Sequence, residues 1–487
     1  MQTQSSGCLR TLAALLSVLC LCSGGWSIES AYGSEPPVFR FNASVHDPSV
    51  IKVGDLYYVF GSHLAAAKST DLMNWSLVDS GVRNGNKLIP NVLDEMGEEL
   101  AWVDSDTFWA PDVIQLSDGR FYMYYCIGRL DAPRALTGLA VADQVEGPYY
   151  NQGVIVRSGM WNRPSPDGRI YDATIHPNAV DPHVFFDAAG QLWMVYGSYS
   201  GGIFIYQLDQ ETGWPKPDQG YGKKLLGGNH SRMEGPYILY SPHSKFYYLF
   251  VTFGGLASDG AYNIRVMRSK SPDGPYFDAA GNPMLQVAGK RGSLFDDRSI
   301  ESFGVKLMGN HLFLPAEGGR RRVSGGYVSP GHNSAYYDQQ TDKHFLFFHT
   351  RFENQGEYHE VRVHQMLINQ AGWPVVAPHR YAGEAIEYYE TDELPGDYRL
   401  INHGKAITTD IQRSQLITLQ SDGRITGAVQ GEWKRSGSAY VDLLINDTTY
   451  QGVFLRQWDA PQQKWVMTFS ALSQEGVALW GSKGSSE

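Results

Sequence analysis

Three carboxylates stand at the head of short repeats in this chain: Asp47 in Val45-His-Asp-Pro-Ser, Asp181 in Asn178-Ala-Val-Asp-Pro-His, and Glu234 in Arg232-Met-Glu-Gly-Pro-Tyr. Cleaving an acetal without a cofactor needs one carboxyl group that still holds a proton for the leaving oxygen. It also needs a second, ionised carboxylate to activate water on the opposite face. A third carboxylate close to the proton donor would disfavour that donor's ionised form and so keep it protonated near neutral pH. One Asp-Pro pair alone is an ordinary turn starter. The chemistry becomes credible only if the fold brings the three residues to one place.

The elements that would do so are legible as repeats. Segments beginning at Asp47, Pro111, Asp181, Glu234 and His332 each read as a short strand, a turn rich in Gly, Asp or Ser, and a second strand rich in aromatic and β-branched residues. A third strand and a Gly/Pro-aromatic turn follow, as in Glu146-Gly-Pro-Tyr, Thr212-Gly-Trp-Pro and Asp273-Gly-Pro-Tyr. Five such units predict an all-β chain with a five-bladed β-propeller over residues 36–385. Its innermost strands would gather Asp47, Asp181, Glu234 and His332 near the axis, at equivalent positions. The spacing from 234 to 332 exceeds one blade, so residues 285–330, including Ile300–Leu314, are expected to add a hairpin and loop before the fifth blade; Arg320-Arg-Arg within them reads as a solvated charge cluster.

The repeat stops near Tyr381, and 392–397 reads as a linker. Beyond it, segments at 414–429, 440–445, 450–455 and 464–469 alternate with period two, which predicts a small C-terminal β-sandwich or β-barrel domain over 396–487. Trp433, Trp458, Trp465 and Trp480 would serve this domain's core or interface more readily than a sugar-stacking face.

Composition narrows the partners. Lys and Arg number 40 against 51 Asp and Glu, a formal charge of −11, which disfavours nucleic acid, anionic membranes and polyanionic substrates and suits a neutral polymer. Residues 1–25 carry Arg10, an apolar run from Thr11 to Cys22 and then Ser23-Gly-Gly, the order of a secretory signal peptide; the run is too short to span a bilayer. The expected address is secreted, extracellular or periplasmic, with a lipid anchor through Cys20 or Cys22 the lesser alternative. Removal of that leader leaves Cys126 as the single thiol, inside a strand, where burial is the expected fate.

Beyond these separate signals, the ordered series Trp109-Ala-Pro-Asp, Tyr171–His183, Tyr196-Gly-Ser-Tyr-Ser-Gly-Gly-Ile, Asn229–Tyr237 and Ser329-Pro-Gly-His-Asn-Ser resembles glycoside hydrolase family 43, and within it the two-domain extracellular endo-α-1,5-L-arabinanases. The resemblance implies that Asp47 is the general base, Glu234 the general acid and Asp181 the residue that raises the acid's pKa and orients it, with inversion at the anomeric carbon. It further implies arabinan and arabino-oligosaccharides as partners. Trp109 would be the stacking platform, and Gly128, Asn178, Ala179, Val180, Asp181, Ser198, Tyr199 and Ser200 would be the floor and walls of the sugar site beside Asp47. His332 would hold one calcium ion in the propeller channel, although calcium ordinarily prefers oxygen donors; His46 and His183 are not expected to be ligands.

The competing readings are an exo-acting arabinanase, an α-L-arabinofuranosidase or a β-xylosidase on the same scaffold, and a non-catalytic glycan-binding propeller. Five-bladed fructan-type enzymes open on Trp/Met-Asn-Asp-Pro-Asn-Gly, which this chain lacks.

Overall fold

A computed structural model describes residues 36–315 and 325–484. The leader and Arg320-Arg-Arg lie outside the described residues. Four sheets of four antiparallel strands follow one another: β1–β4 (Ser49–Val53, Leu56–Gly61, Ala65–Ser69, Ser76–Asp79), β5–β8 (Trp109–Gln115, Phe121–Ile127, Ala135–Ala142, Tyr150–Ser158), β9–β12 (His183–Phe186, Leu192–Tyr196, Ile203–Gln207, Lys223–Leu226) and β13–β16 (Met233–Ser241, Phe246–Phe253, Asn263–Ser269, Val305–Met308). The fifth is built on β18–β21 (Gly325–Asp338, Lys343–Arg351, His359–Ile368, Pro374–Val376), and β17 (His311–Phe313) and β23 (Gln412–Arg413) extend its inner edge. This is the expected five-bladed propeller.

The aromatic runs are explained by the packing of blade on blade. In β6, Phe121, Met123, Tyr125 and Ile127 face the core shared with the first blade, whereas Tyr122 and Tyr124 face the core shared with the third. In β14 the alternation repeats: Tyr247, Leu249, Val251 and Phe253 point toward the third blade, Tyr248 and Phe250 toward the fifth. A strand buried on both faces has no solvent side, so its sequence is continuously apolar rather than alternating. The ring closes without strand exchange. Val361 N–H donates to Ala43 O and Trp75 N–H to Phe41 O, which lays the chain before β1 between the first and fifth blades. Tyr57, Val59, Trp75, Phe345 and Phe347 form the core there.

Two expectations about connections are revised. Residues 300–314 do not make an added hairpin. β16 is the outer strand of the fourth blade and β17 pairs with the extended β18, because all four residues of β16 are buried and belong to the sheet. The outer strand of that blade therefore does not follow Asp273-Gly-Pro-Tyr directly; residues 277–304 leave first and return. Between the first and second blades, α1 (Val92–Glu95) and α2 (Gly97–Val103) fill a connection that carried no readable periodicity.

The C-terminal strands resolve the sandwich-or-barrel alternative. β22 (Gly396–Asn402), β24 (Gln415–Leu419), β25 (Arg424–Gly427), β26 (Gly431–Arg435), β27 (Tyr440–Ile445), β28 (Thr448–Asp459), β29 (Lys464–Ser473) and β30 (Ala478–Lys483) form a closed barrel, sealed where β30 pairs with β22. Its core runs continuously into that of the fourth and fifth blades. Trp480 lies at this junction, with ring centroids 4.4 Å from His403 and 5.0 Å from His311. Trp433, Trp458 and Trp480 are all buried, so packing claims them.

Candidate active site

Four of the five inner strands approach the axis through the same backbone device. Asp47 and Asp181 have φ of 57°, Gly235 61° and His332 45°, a left-handed bend just before Pro48, Pro182, Pro236 and Asn333. The pairing register shifts at this point in three blades, between Trp109 and Asp112, Glu234 and Tyr237, and Gly331 and Ser334. Bulges of this kind re-aim side chains, and left-handed non-glycine residues cost of order 1–3 kcal/mol each. The residues at this level meet at the channel: Asp47, Ala110, Asp181, Gly235 and His332 line one axial cavity of about 20 Å³.

This register corrects the expected equivalence of the three carboxylates. Asp47 and Asp181 are equivalent, but the fourth blade places Gly235 at their position, and Glu234 stands one residue earlier, level with His46 and Trp109. Gly235 is required there: a Cβ would lie 2.9 Å from the His332 ring. Asp181 accepts the Gly235 N–H at 3.1 Å, which ties the two levels together beneath Glu234.

The surroundings of Asp47 are imidazole and hydroxyl. His46 Nδ1, His332 Nδ1 and His349 Nδ1 lie 2.8, 3.1 and 3.6 Å from Asp47 Oδ1, and Ser62 Oγ donates to Oδ2. Asp47 N–H donates to His349 Nδ1 at 3.1 Å, so that nitrogen carries no proton. His46 stacks on His349 at 3.8 Å between centroids. Burial pushes the Asp47 carboxyl up, but His332 and His46 outweigh it and hold the group well below the ordinary carboxylate range. Asp47 is an ionised carboxylate.

The opposite environment surrounds Glu234. Its oxygens accept from Ser198 Oγ at 2.9 Å and from the Tyr262 hydroxyl. Burial, and then the Asp181 charge, push Glu234 up to about 7, while His332, Tyr262 and Ser198 pull the other way. Burial, and then Asp47, push Asp181 up as well, while the Gly235 N–H and His46 pull it down. Two desolvated carboxyls in one site titrate as a pair that keeps a proton near neutrality. That proton belongs on Glu234, because hydroxyl partners can rotate to accept as well as donate, whereas the Gly235 N–H on Asp181 can only donate.

Most of the expected sugar-site residues gather around this pair. Trp109 is partly exposed and lies flat on Gly128, where a Cβ would meet its ring at 2.6 Å. Asn178 Oδ1 accepts from Ser158 Oγ at 3.1 Å. Tyr199 N–H donates to Met233 O at 2.9 Å, and Ser200 O accepts from His230 N–H at 2.9 Å. Ala179 and Val180 are fully buried and their backbone groups are engaged, Ala179 O by Thr137 and Val180 O by Gly197. Cys126 is buried under Asp181, and burial pushes its thiol well above its ordinary pKa. His183 lines the same axial cavity beyond Pro182, where it pairs with Asp112 at 3.1 Å.

Sequence reasoning missed Ser62, His349, Tyr262 and Phe295. A signal existed for Ser62, since Phe60-Gly-Ser and Tyr196-Gly-Ser end the second strands of two blades, and Ser62 and Ser198 hold Asp47 and Glu234. Phe295 had none. It is 52% exposed, sits 5.6 Å edge-on to Tyr199, and is carried there by the excursion 277–304, which Asp297 anchors through an ion pair with Arg232.

A propeller whose axis carries one ionised carboxylate and one proton-holding carboxyl pair has the equipment of a glycosidase, and the chain belongs to that class. Residues 37–297 match glycosyl hydrolases family 43, and residues 378–481 match the C-terminal lipocalin-like domain associated with it. The chain is a member of that family. It is 55% identical over 458 residues, 94% of this chain and 96% of the relative, to the extracellular endo-α-(1→5)-L-arabinanase 2 of Bacillus subtilis. Among solved structures, a family 43 protein from Bacillus licheniformis superposes with a TM-score of 0.89 at 61% identity, covering 92% of this chain and 99% of the other. The endo-1,5-α-L-arabinanase of Thermotoga petrophila gives 0.88 at 51% identity, covering 92% and 100%.

Proposed function

We propose that this glycosidase cuts internal α-1,5-L-arabinofuranosidic bonds of arabinan with inversion. The observation that carries the reading is the division of the carboxylates into an ionised Asp47 ringed by imidazoles and a Glu234–Asp181 pair that retains a proton. Glu234 donates that proton to the departing oxygen, Asp47 takes a proton from the attacking water, and Asp181 keeps Glu234 protonated and in place. The partly exposed ring of Trp109 offers an apolar face to the furanose. The relatives that match nearly the whole chain bear the name of this activity, and the word extracellular in the Bacillus name supports export as the job of residues 1–25.

Digestion of debranched arabinan tests the proposal. Short oligosaccharides of mixed length are expected early, with the first-formed anomer inverted by NMR; release of arabinose alone, or a retained anomer, overturns the endo or the inverting assignment.

The axial cavity has the donors for a cation. His332 lines it, with one ring nitrogen on Asp47 and no protein partner for the other among the described residues, and the buried Asn333 carboxamide beside it has no partner for either polar atom. His332 would hold calcium there, with Asn333 among the nearby oxygen donors. A bound cation supplies positive charge on the axis, which favours the ionised forms of Asp47 and Asp181.

A further inference from the structure

The barrel is filled unevenly. Toward one end Tyr398, Trp433, Phe454 and Phe469 plug the interior, with centroids 5.5 Å apart for Tyr398–Phe469, 6.1 Å for Phe454–Phe469 and 6.2 Å for Trp433–Phe454. Toward the other end the inward positions carry shorter side chains, and a cavity of about 310 Å³ opens at the mouth. The cross-strand pairs Leu400–Gln415, Asn402–Leu479 and Leu443–Tyr450 place these residues on the inner face. An eight-stranded barrel is just wide enough to hold one small ligand.

The lining says what kind of ligand. Leu400, Ile445 and Leu479 make an apolar floor, and the buried Tyr450 stands beside them. Its hydroxyl has no hydrogen-bond partner among the described residues and is open to solvent at the mouth, where it is free to bond a ligand. The rim is carboxamide and guanidinium, from Asn402, Gln415 and Arg413. A wholly apolar ligand would strip water from those groups and give nothing back, whereas a sugar offers C–H faces to the floor and hydroxyls to the rim. At the small end of ligand cavities, about 300–1,000 Å³, the mouth suits a chain end rather than a length of polymer. Arg413 also pairs at 2.9 Å with Glu353, in the turn after β19, the strand that brings His349 to Asp47. The mouth therefore sits at the edge of the blade that helps to form the active site.

We propose that the barrel mouth is a second carbohydrate site, which binds a terminal arabinofuranosyl residue of the polymer and holds the chain near the active site. The inference rests on arabinan being the substrate. Tethering of this kind raises the local concentration of the polymer without any change in the chemical step.

The test uses full-length protein carrying Glu234→Gln, so that ligand is not consumed, and equilibrium dialysis against labelled arabinotriose at saturation. Two molecules per chain are expected, falling to one when either Tyr450→Phe or Gln415→Ala is added, with melting temperature checking that each variant is folded. Gln415 is exposed on the rim, so its truncation leaves the barrel core intact. One molecule per chain in all proteins overturns the barrel site while leaving the catalytic reading standing. Two molecules that persist in both barrel variants overturn it as well, by placing the second site elsewhere. No binding to any of them removes the arabinan reading and this proposal with it.

Discussion

The two sides of the active site are built from the same residue class and differ in almost everything else. Asp47 is buried among three imidazoles and a serine hydroxyl, and the balance of burial against nearby histidines leaves it ionised. Glu234 is half-buried among hydroxyls and beside another carboxyl, and desolvation, reinforced rather than opposed by its neighbour, leaves it protonated near neutral pH. What separates the ionised carboxyl from the protonated one is therefore chiefly the sign of the nearest charges. The difference is arranged by the blades: His332 and His349 come from the fifth to Asp47 in the first, while Asp181 comes from the third to Glu234 in the fourth.

Removing either end should have the largest effect. Glu234→Gln keeps the shape but not the proton, and arabinan turnover should fall by at least the ~10²–10⁴-fold that proton transfer contributes. A substrate with an activated leaving group should recover much of that loss. Asp47→Asn should lose as much without recovery, since water still needs a base. Equal rescue of both variants in steady-state assays would erase the distinction between the two sides.

The proposed axial cation comes next. Prolonged chelation should lower both activity and melting temperature, with calcium restoring both, because a ligand that binds only the folded state stabilises it by mass action. His332→Ala should abolish that response. Unchanged kinetics and melting in demonstrably metal-free protein would leave His332 as a hydrogen-bonding residue of the channel.

A smaller effect sharpens the acid side. The acid must be protonated, so kcat/KM should fall as pH rises through about 7, the value to which Glu234 is raised. The base must be ionised, so the acidic limb should lie below the ordinary carboxylate range. Asp181→Asn removes a neighbouring negative charge and should move the upper limb to lower pH. Tyr262→Phe removes a hydrogen bond that favours the ionised form and should move it to higher pH. Limbs that shift in the same direction would break this account of the acid. The smallest change is expected for Phe295→Ala: a severalfold rise in KM for arabino-oligosaccharides with kcat little altered, in keeping with the ~0.5–1.5 kcal/mol of an aromatic contact.

Much of the propeller could be read from the chain because its strands carry their environment in their composition. β6 and β7 are buried at every position, and a run such as Phe121-Tyr-Met-Tyr-Tyr-Cys-Ile suits a strand between two cores. The acid's level could not be read in the same way. Counting from the carboxylates aligned Glu234 with Asp47 and Asp181, whereas the prolines 48, 111, 182 and 236 mark the true register. A bulge displaces one residue without changing the apolar pattern that reveals the strand. Phe295 was invisible for a related reason: the excursion 277–304 has no periodicity, and its position beside Tyr199 depends on the Arg232–Asp297 pair.

By itself, the sequence determined the repeated blade, the residues at the heads of the inner strands, and the period-two pattern of the C-terminal strands, because each is a local property of strand and turn. Tertiary structure decided that the tail closes into a barrel, since that depends on β22 meeting β30 across about eighty residues. It also decided which carboxylate would be ionised. That outcome depends on His332 from the fifth blade, Asp181 from the third and Tyr262 from the fourth meeting within a few ångströms, where low dielectric makes each charge count.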